Sequence, residues 1–268
     1  MMDDDLWLIH RHFAERGDER LDFVKSVPQS ILLAGADGDV SRSLLAARYP
    51  KAVFSEYDHR PDFLREAAAR RKEGLLARLS GKKPVAQHLQ PADAPLPAAC
   101  ADMLWANLDL LSQDEILPVL RVWADALKTD GLLFFTHLGS ETLPEIESRL
   151  KESGIRALKP ALIDMHDLGD MLADNGFYDP VMDTAKLELH YRSAGAFWQD
   201  METAGIWRAM GFDDEAAARA AVDGWWRQGV PVTKITLETV FGHAVKKQVL
   251  PEGEQPVRFL PRRGGRDV

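Results

Sequence analysis

The sequence predicts an α/β fold, a doubly wound, Rossmann-like, seven-stranded and mostly parallel sheet with helical additions. Three observations carry this. Short apolar runs alternate with helix-like segments through the first half of the chain, the pattern of strand, crossover helix and strand. Leu132 to Thr136 is apolar up to its last residue, as a strand covered on both faces is. Leu187, Leu189 and Tyr191 then alternate with polar residues, and a further strand runs from Lys234 to Val245, so the last strands read as antiparallel additions to one edge.

A first helix follows the acids Asp3 to Asp5, which suit a helix N-terminus, and carries Leu6, Ile9 and Phe13 at helical spacing, as a lid or docking helix. Ile31–Ala34 is a buried strand that runs into the turn Gly35-Ala36-Asp37-Gly38-Asp39. Leu44, Leu45 and Tyr49 mark the helix behind it, with Asp39 placed to cap that helix and Asp37 to close the turn. Ala52–Ser55 is the second strand, ending in Glu56-Tyr57-Asp58, and Pro61 opens a helix that extends to about residue 79. Val85–Leu89 and Met103–Ala106 are the third and fourth strands. Ser112 and Glu115 have the spacing of a capping box, ahead of a helix with Ile116, Leu120, Trp123 and Leu127 on one face. Beyond the fifth strand, acids around His166 cap a helix that stops at Asn175-Gly176. Helices near 196–210 and 213–228 follow, and their Trp198, Trp207, Trp225 and Trp226 fill the core over the sheet.

At 268 residues the chain is one large domain with appendages: a helical segment over 1–29, a main domain over 30–250 with a helical insertion near 196–228, and a loosely ordered tail over 251–268. Hydrophobic residues at 46% and charged residues at 28% exclude a disordered or collagen-like chain. The net charge of −9 argues against nucleic-acid binding by overall attraction. No apolar stretch approaches the roughly 18 residues of a membrane span, and the acidic start lacks the positive flank of a secretory signal, which places the chain in the cytoplasm and off the membrane. Cys100 is the single cysteine, so an intramolecular disulfide and a cysteine zinc cage are excluded. His10, His12, His166 and His243 form no metal-ligand pattern, and no metal is expected. Between Arg60 and Lys83 stand eight basic residues against three acids. That run reads first as a solvated helix face, and second as a surface steering an acidic partner.

In an open α/β sheet the ligand lies at the carboxyl ends of the strands, where strand order reverses. Gly35 and Gly38 remove side chains where a ligand would approach the backbone, and Asp58 ends the second strand, positioned to accept hydrogen bonds from two ribose hydroxyls.

Several strings resemble the class I S-adenosylmethionine-dependent methyltransferases of the malonyl-acyl-carrier-protein O-methyltransferase type and their relatives. They are Ala46 to Pro50, Asn107-Leu108, the stretch from Gly131 to Leu143, the stretches 164–170 and 176–183, and Glu238 to Ala244. The resemblance spans most of residues 6–247. It implies S-adenosylmethionine as cofactor, held by Gly35, Gly38, Asp58 and Asn107, and a small or carrier-bound acyl substrate methylated on a carboxylate oxygen. The chain departs from the family pattern in places. Leu33 stands where the first strand normally has an acid, Asp37 and Asp39 replace two of three turn glycines, and the acid that usually contacts adenine aligns with Gln90, with Asp93 a slip of register away.

A carboxylate acceptor is already nucleophilic at neutral pH, so the protein chiefly needs a cationic or hydrogen-bonding group to orient it. His137, at the end of the fifth strand, and Arg192, after Tyr191, are the candidates. The alternative is a non-catalytic scaffold or assembly factor that has kept the fold and lost or weakened cofactor binding.

Overall fold

A computed structural model of the chain describes residues 6–71, 84–229 and 234–248. Its seven strands are β1 (Ser30–Ala34), β2 (Val53–Asp58), β3 (Ala86–Leu89), β4 (Ala101–Asn107), β5 (Leu127–Leu138), β6 (Phe177–His190) and β7 (Lys234–Lys246). They form one sheet in the order β3-β2-β1-β4-β5-β7-β6. β1 to β5 pair in parallel, while β7 runs antiparallel to both of its neighbours, as the alternation near the end of the sequence predicts.

In β1, Ile31 and Leu33 point to one face and Leu32 and Ala34 to the other, and all four are buried, which is why the strand reads as an unbroken apolar run. One face packs on helix α4 (Ile116–Ala126) through Val119, Leu120 and Trp123, and on α6 (Met165–Asp174) through Leu168 and Leu172. The other face meets α2 (Val40–Arg48) through Leu45, and the aromatic rings of Trp105 and Phe134 stack there 6.2 Å apart. A third core lies beyond the β5 and β7 ends. It joins α1 (Leu8–Arg20), α5 (Pro144–Glu152), α7 (Ala194–Thr203), α8 (Ile206–Met210) and α9 (Glu215–Arg227), with Phe197, Trp198 and Trp207 at its centre. Of these, α7, α8 and α9 occupy the stretch near 196–228; Trp198 and Trp207 are buried in this core, while Trp225 and Trp226 are partly buried against it.

Three local expectations fail, each for a physical reason, and a fourth lies partly outside the described residues. β6 is 14 residues long, not the short strand at 187–191, because a bulge between Tyr178 and Val181 absorbs Asp179-Pro180, which reads as a break. Ser112 and Glu115 form no capping box: Ser112 ends a 3-10 turn and donates to the Asp109 carbonyl, and Glu115 makes no side-chain cap. α3 spans Pro61–Arg70, and the rest of the helix expected to about residue 79 lies outside the described residues. In the turn after β1 the capping role falls to Asp37 and not to Asp39. Asp39, at φ 69°, makes no cap, whereas the Asp37 carboxylate accepts from Ser41 N at 3.1 Å and from Ser41 Oγ at 2.5 Å.

Candidate active site

The strand order reverses between β1 and β4, so the crevice at their carboxyl ends is the place for a ligand. The turn that leaves β1 enters it. Gly35 (φ 85°) and Gly38 (φ 65°) both occupy the left-handed region, so the turn needs glycine there for its backbone as well as for close approach.

Behind the turn runs a buried polar network. Trp105 Nε1 donates to Ser41 Oγ at 2.9 Å, and Asn107 Nδ2 donates to Asp37 Oδ2 at 2.8 Å and to the His10 carbonyl at 2.9 Å. Thr136 Oγ1 in turn donates to Asn107 Oδ1 at 2.8 Å. Burial pushes the Asp37 carboxyl up from its ordinary value against these hydrogen bonds. Asn107 thus ties the turn to α1 and β5, and its amide donors and carbonyl are spent within the protein. Asp39 pairs with Arg42 and Arg71, and Arg71 also holds the buried Glu56 at 2.6 Å.

At the end of β2, Asp58 is fully buried. Its Oδ2 accepts from Ala36 N at 2.7 Å and from Arg60 Nη2 at 2.8 Å; its Oδ1 accepts from Arg60 N at 2.7 Å and Arg60 Nε at 2.9 Å. Arg60 also reaches Asp109 Oδ1 at 3.3 Å and lies 4.0 Å over the Phe63 ring. Burial raises the Asp109 carboxyl to about 7, with Arg60 opposing the shift and Asp58 adding to it. His10, buried on α1, is lowered to about 3 by burial and then by Arg60. Asp58, His59 and Asp109 offer ligand atoms within 4.8 Å of one another, a spacing a metal ion can use, but the Arg60 guanidinium already pairs with both carboxylates.

Side chains of the chain itself cover the crevice. A Cβ on Gly35 would lie 2.8 Å from Asp109 Oδ1, and one on Gly38 would lie 2.4 Å from Trp7 Nε1. The cavity left beside Asp58, walled by Ala34, Tyr57, Ala92, Leu96 and Trp123 with Gln90 at its edge, holds about 20 Å³, room for about one water. Next to it opens a groove of about 560 Å³ lined by His59, Arg60, Phe63, Asp93, Gln113 and Arg208, among others.

The structure brings Gly35, Gly38, Asp58, Gln90 and Asp93 to this crevice and its groove, and puts Asn107 just beneath. It does not bring the two carboxylate-orienting candidates. His137 is fully buried, with neither ring nitrogen in regular hydrogen-bond geometry, and burial lowers it to about 4 against a weaker pull from the Ala161 backbone. Arg192 is exposed between β6 and α7, and neither residue lines the cavity or the groove. Sequence reading missed Arg60, Asp109 and Trp7. Arg60 stood inside a basic run read as solvated; Arg65 and Arg70 do make surface pairs with Asp62 and Glu66, whereas Arg60 and Arg71 are part-buried against the buried acids Asp58 and Glu56.

No protein-family model matches the chain. Curated relatives do. The malonyl-[acyl-carrier protein] O-methyltransferase of Methylovorus sp. (strain MP688) is 33% identical over 272 aligned positions, covering 95% of this chain and 89% of the relative. That of Laribacter hongkongensis (strain HLHK9) is 31% identical, covering 95% and 90%. The chain belongs to the malonyl-[acyl-carrier protein] O-methyltransferase family. Members of this family are methyltransferases, and the solved structures it resembles share the fold. The YcgJ protein of Bacillus subtilis superposes with a TM-score of 0.57 at 14% identity, over 90% of this chain and 100% of that one. Phosphoethanolamine N-methyltransferase 2 of Haemonchus contortus, solved with S-adenosyl-L-methionine, gives 0.54 at 14% identity, over 90% of this chain and 53% of that one.

Proposed function

We propose that this chain is an S-adenosylmethionine-dependent O-methyltransferase that methylates the free carboxylate of a malonyl-type acyl group borne on a carrier. The observation that carries this is identity of 33% over 95% of the chain to a malonyl-[acyl-carrier protein] O-methyltransferase. The site supports it in its donors: a left-handed glycine turn, an acid at the end of β2, and an apolar cavity beside that acid. These residues match the cofactor in kind, and the side chains of Trp7, Arg60 and Asp109 must turn aside before it enters, since the cavity beside Asp58 has room for about one water.

The cofactor supplies a methyl group on a sulfonium, an electrophile that needs no activation by the protein. Tyr57, Ala92, Leu96 and Trp123 would wall the adenine, Asp58 would take the ribose hydroxyls, and the Gly35–Gly38 backbone would lie against the methionine part. The protein's remaining work is to align the acceptor and exclude water. With the cofactor bound, a carboxylate oxygen held in line with the sulfonium methyl would be the nucleophile, and sulfur would be the leaving group. No proton moves, so no general base is required.

Calorimetry of the purified protein with S-adenosylhomocysteine tests this, together with mass spectrometry of malonyl-pantetheine incubated with S-adenosylmethionine. We expect a Kd on the order of micromolar to tens of micromolar, as for ordinary enzyme ligands, and a methyl ester product. Absence of binding at about 1 mM, and of product, would favour a scaffold, the second reading, for which the self-paired Asp58 speaks.

A further inference from the structure

We propose that Arg60 is the residue that binds the substrate carboxylate, and that cofactor binding releases it for this task. The proposal rests on the methyltransferase reading above. A carboxylate has about four acceptor positions, and those of Asp58 are filled by Ala36 N, Arg60 N, Arg60 Nε and Arg60 Nη2, all at 2.7–2.9 Å. Two ribose hydroxyls can reach Asp58 only when two of these donors leave. The backbone donors are fixed by the glycine turn and by the start of α3. The pair that leaves is therefore the Arg60 fork.

Where the fork goes is set by its other contacts. The guanidinium lies 4.0 Å over the Phe63 ring and 3.3 Å from Asp109 Oδ1, and Arg60 and Phe63 both line the 560 Å³ groove. Released from Asp58, it keeps Phe63 behind it and faces the groove, beside the turn where the methyl acceptor must arrive. Two parallel N–H groups match the two oxygens of a carboxylate, which is the recognition that arginine does best. A part-buried cation that has lost its partner also gains from a new one.

The two ligands are thereby coupled. Cofactor frees the fork, the fork takes the acyl carboxylate, and by linkage the acyl group strengthens cofactor binding by the same factor. Methyl transfer converts the carboxylate to a neutral ester, which no longer holds the fork as an anion does. Arg60 keeps its proton throughout and returns to Asp58 as the spent cofactor leaves. His137 and Arg192, the other candidates for this role, line neither the cavity nor the groove.

The test is calorimetry of the full-length protein with S-adenosylhomocysteine and malonyl-pantetheine, alone and together, for the native chain, Arg60→Met and Arg60→Lys. In the native chain we expect malonyl-pantetheine to bind at least about tenfold more tightly when S-adenosylhomocysteine is present. In Arg60→Met, S-adenosylhomocysteine should bind about tenfold more tightly because its competitor is gone, while the coupling disappears and KM for malonyl-pantetheine rises more than kcat falls. Arg60→Lys keeps a cation near Asp58 and Asp109 and guards against misfolding. It should gain part of the cofactor affinity and keep part of the malonyl affinity. Weaker S-adenosylhomocysteine binding in both variants, or intact coupling in either, overturns the proposal while leaving the methyltransferase reading in place. A native chain that neither binds S-adenosylhomocysteine nor yields a methyl ester overturns both.

Discussion

Asp58 shows how much a single residue's partners change what its substitution does. A ribose-binding acid open to its ligand can be removed with little loss of stability. Asp58 is instead fully buried and accepts four hydrogen bonds, two of them from a guanidinium. Asp58→Ala should therefore lower stability by about 2–4 kcal/mol, between the loss of charge-assisted hydrogen bonds and the breaking of a buried pair, as read by denaturant melts. The buried histidines carry a pH dependence of definite sign. His137 is lowered from 6.5 to about 4 and His10 from 6.5 to about 3, so the stability of their neutral forms is full above pH 6.5 and is lost as pH falls toward 4. Asp109 runs the other way: raised from 3.8 to about 7, it contributes fully below pH 3.8 and loses that contribution as pH rises to 7. His137→Leu should then be nearly neutral at pH 7 and should flatten the pH 4–6.5 slope of stability by about one proton, roughly 1.4 kcal/mol per pH unit. Asp109→Asn should steepen that slope. Melting curves across this range check both, and a His137→Leu slope equal to the native one would mean that this imidazole titrates normally.

The turn between β1 and α2 is an element in which two aspartates of similar spelling do unlike work. Asp37 caps α2 through Ser41 and holds the Asn107 amide, all in a buried setting. Asp39 caps nothing, sits at φ 69°, and pairs with Arg42 and Arg71. Asp37→Gly should thus cost about 2–4 kcal/mol, a lost cap plus an orphaned buried amide. Asp39→Gly should cost less, about 1–2 kcal/mol, since Arg71 keeps Glu56 and relief of the left-handed backbone offsets part of the lost buried pair. Equal losses from the two would show that the turn is held by charge and not by capping. The elements themselves were legible because burial on both faces writes unbroken apolar runs, as in β1 and in the stretch from Leu132 to Phe135 of β5. What local patterning hides is compensation. The bulge at Tyr178–Val181 lets β6 run through Pro180, and the packing of Trp7 on Gly38 joins residues too far apart in sequence for any periodicity to link.

At the scale of the whole molecule, the sheet's reversal point, where the candidate site lies, was legible and the state of charge around it was not. A basic run from Arg60 to Lys83 looks like a docking surface when charges are counted along the chain, but its described arginines, Arg60, Arg65, Arg70 and Arg71, are each matched by an acid close in space. Pairing across 49 residues, as between Arg60 and Asp109, is invisible to a count along the sequence. The consequence is a prediction about encounter with an acidic carrier. A net charge of −9 repels such a partner, and arginines already neutralised at close range cannot offset that field. Salt screens repulsion over about 10 Å at 0.1 M, so kcat/KM for a carrier-bound malonyl thioester should rise modestly, by less than about threefold, between about 0.02 and 0.2 M salt. The same measurement with malonyl-pantetheine, which has no carrier to repel, should stay flat, and the difference isolates the protein–protein term. If instead kcat/KM for the carrier substrate fell by about tenfold or more over that range, attraction would dominate the encounter. The cations to substitute first would then be Lys72, Arg78, Lys82 and Lys83, since Arg60, Arg65, Arg70 and Arg71 each pair with an acid of this chain.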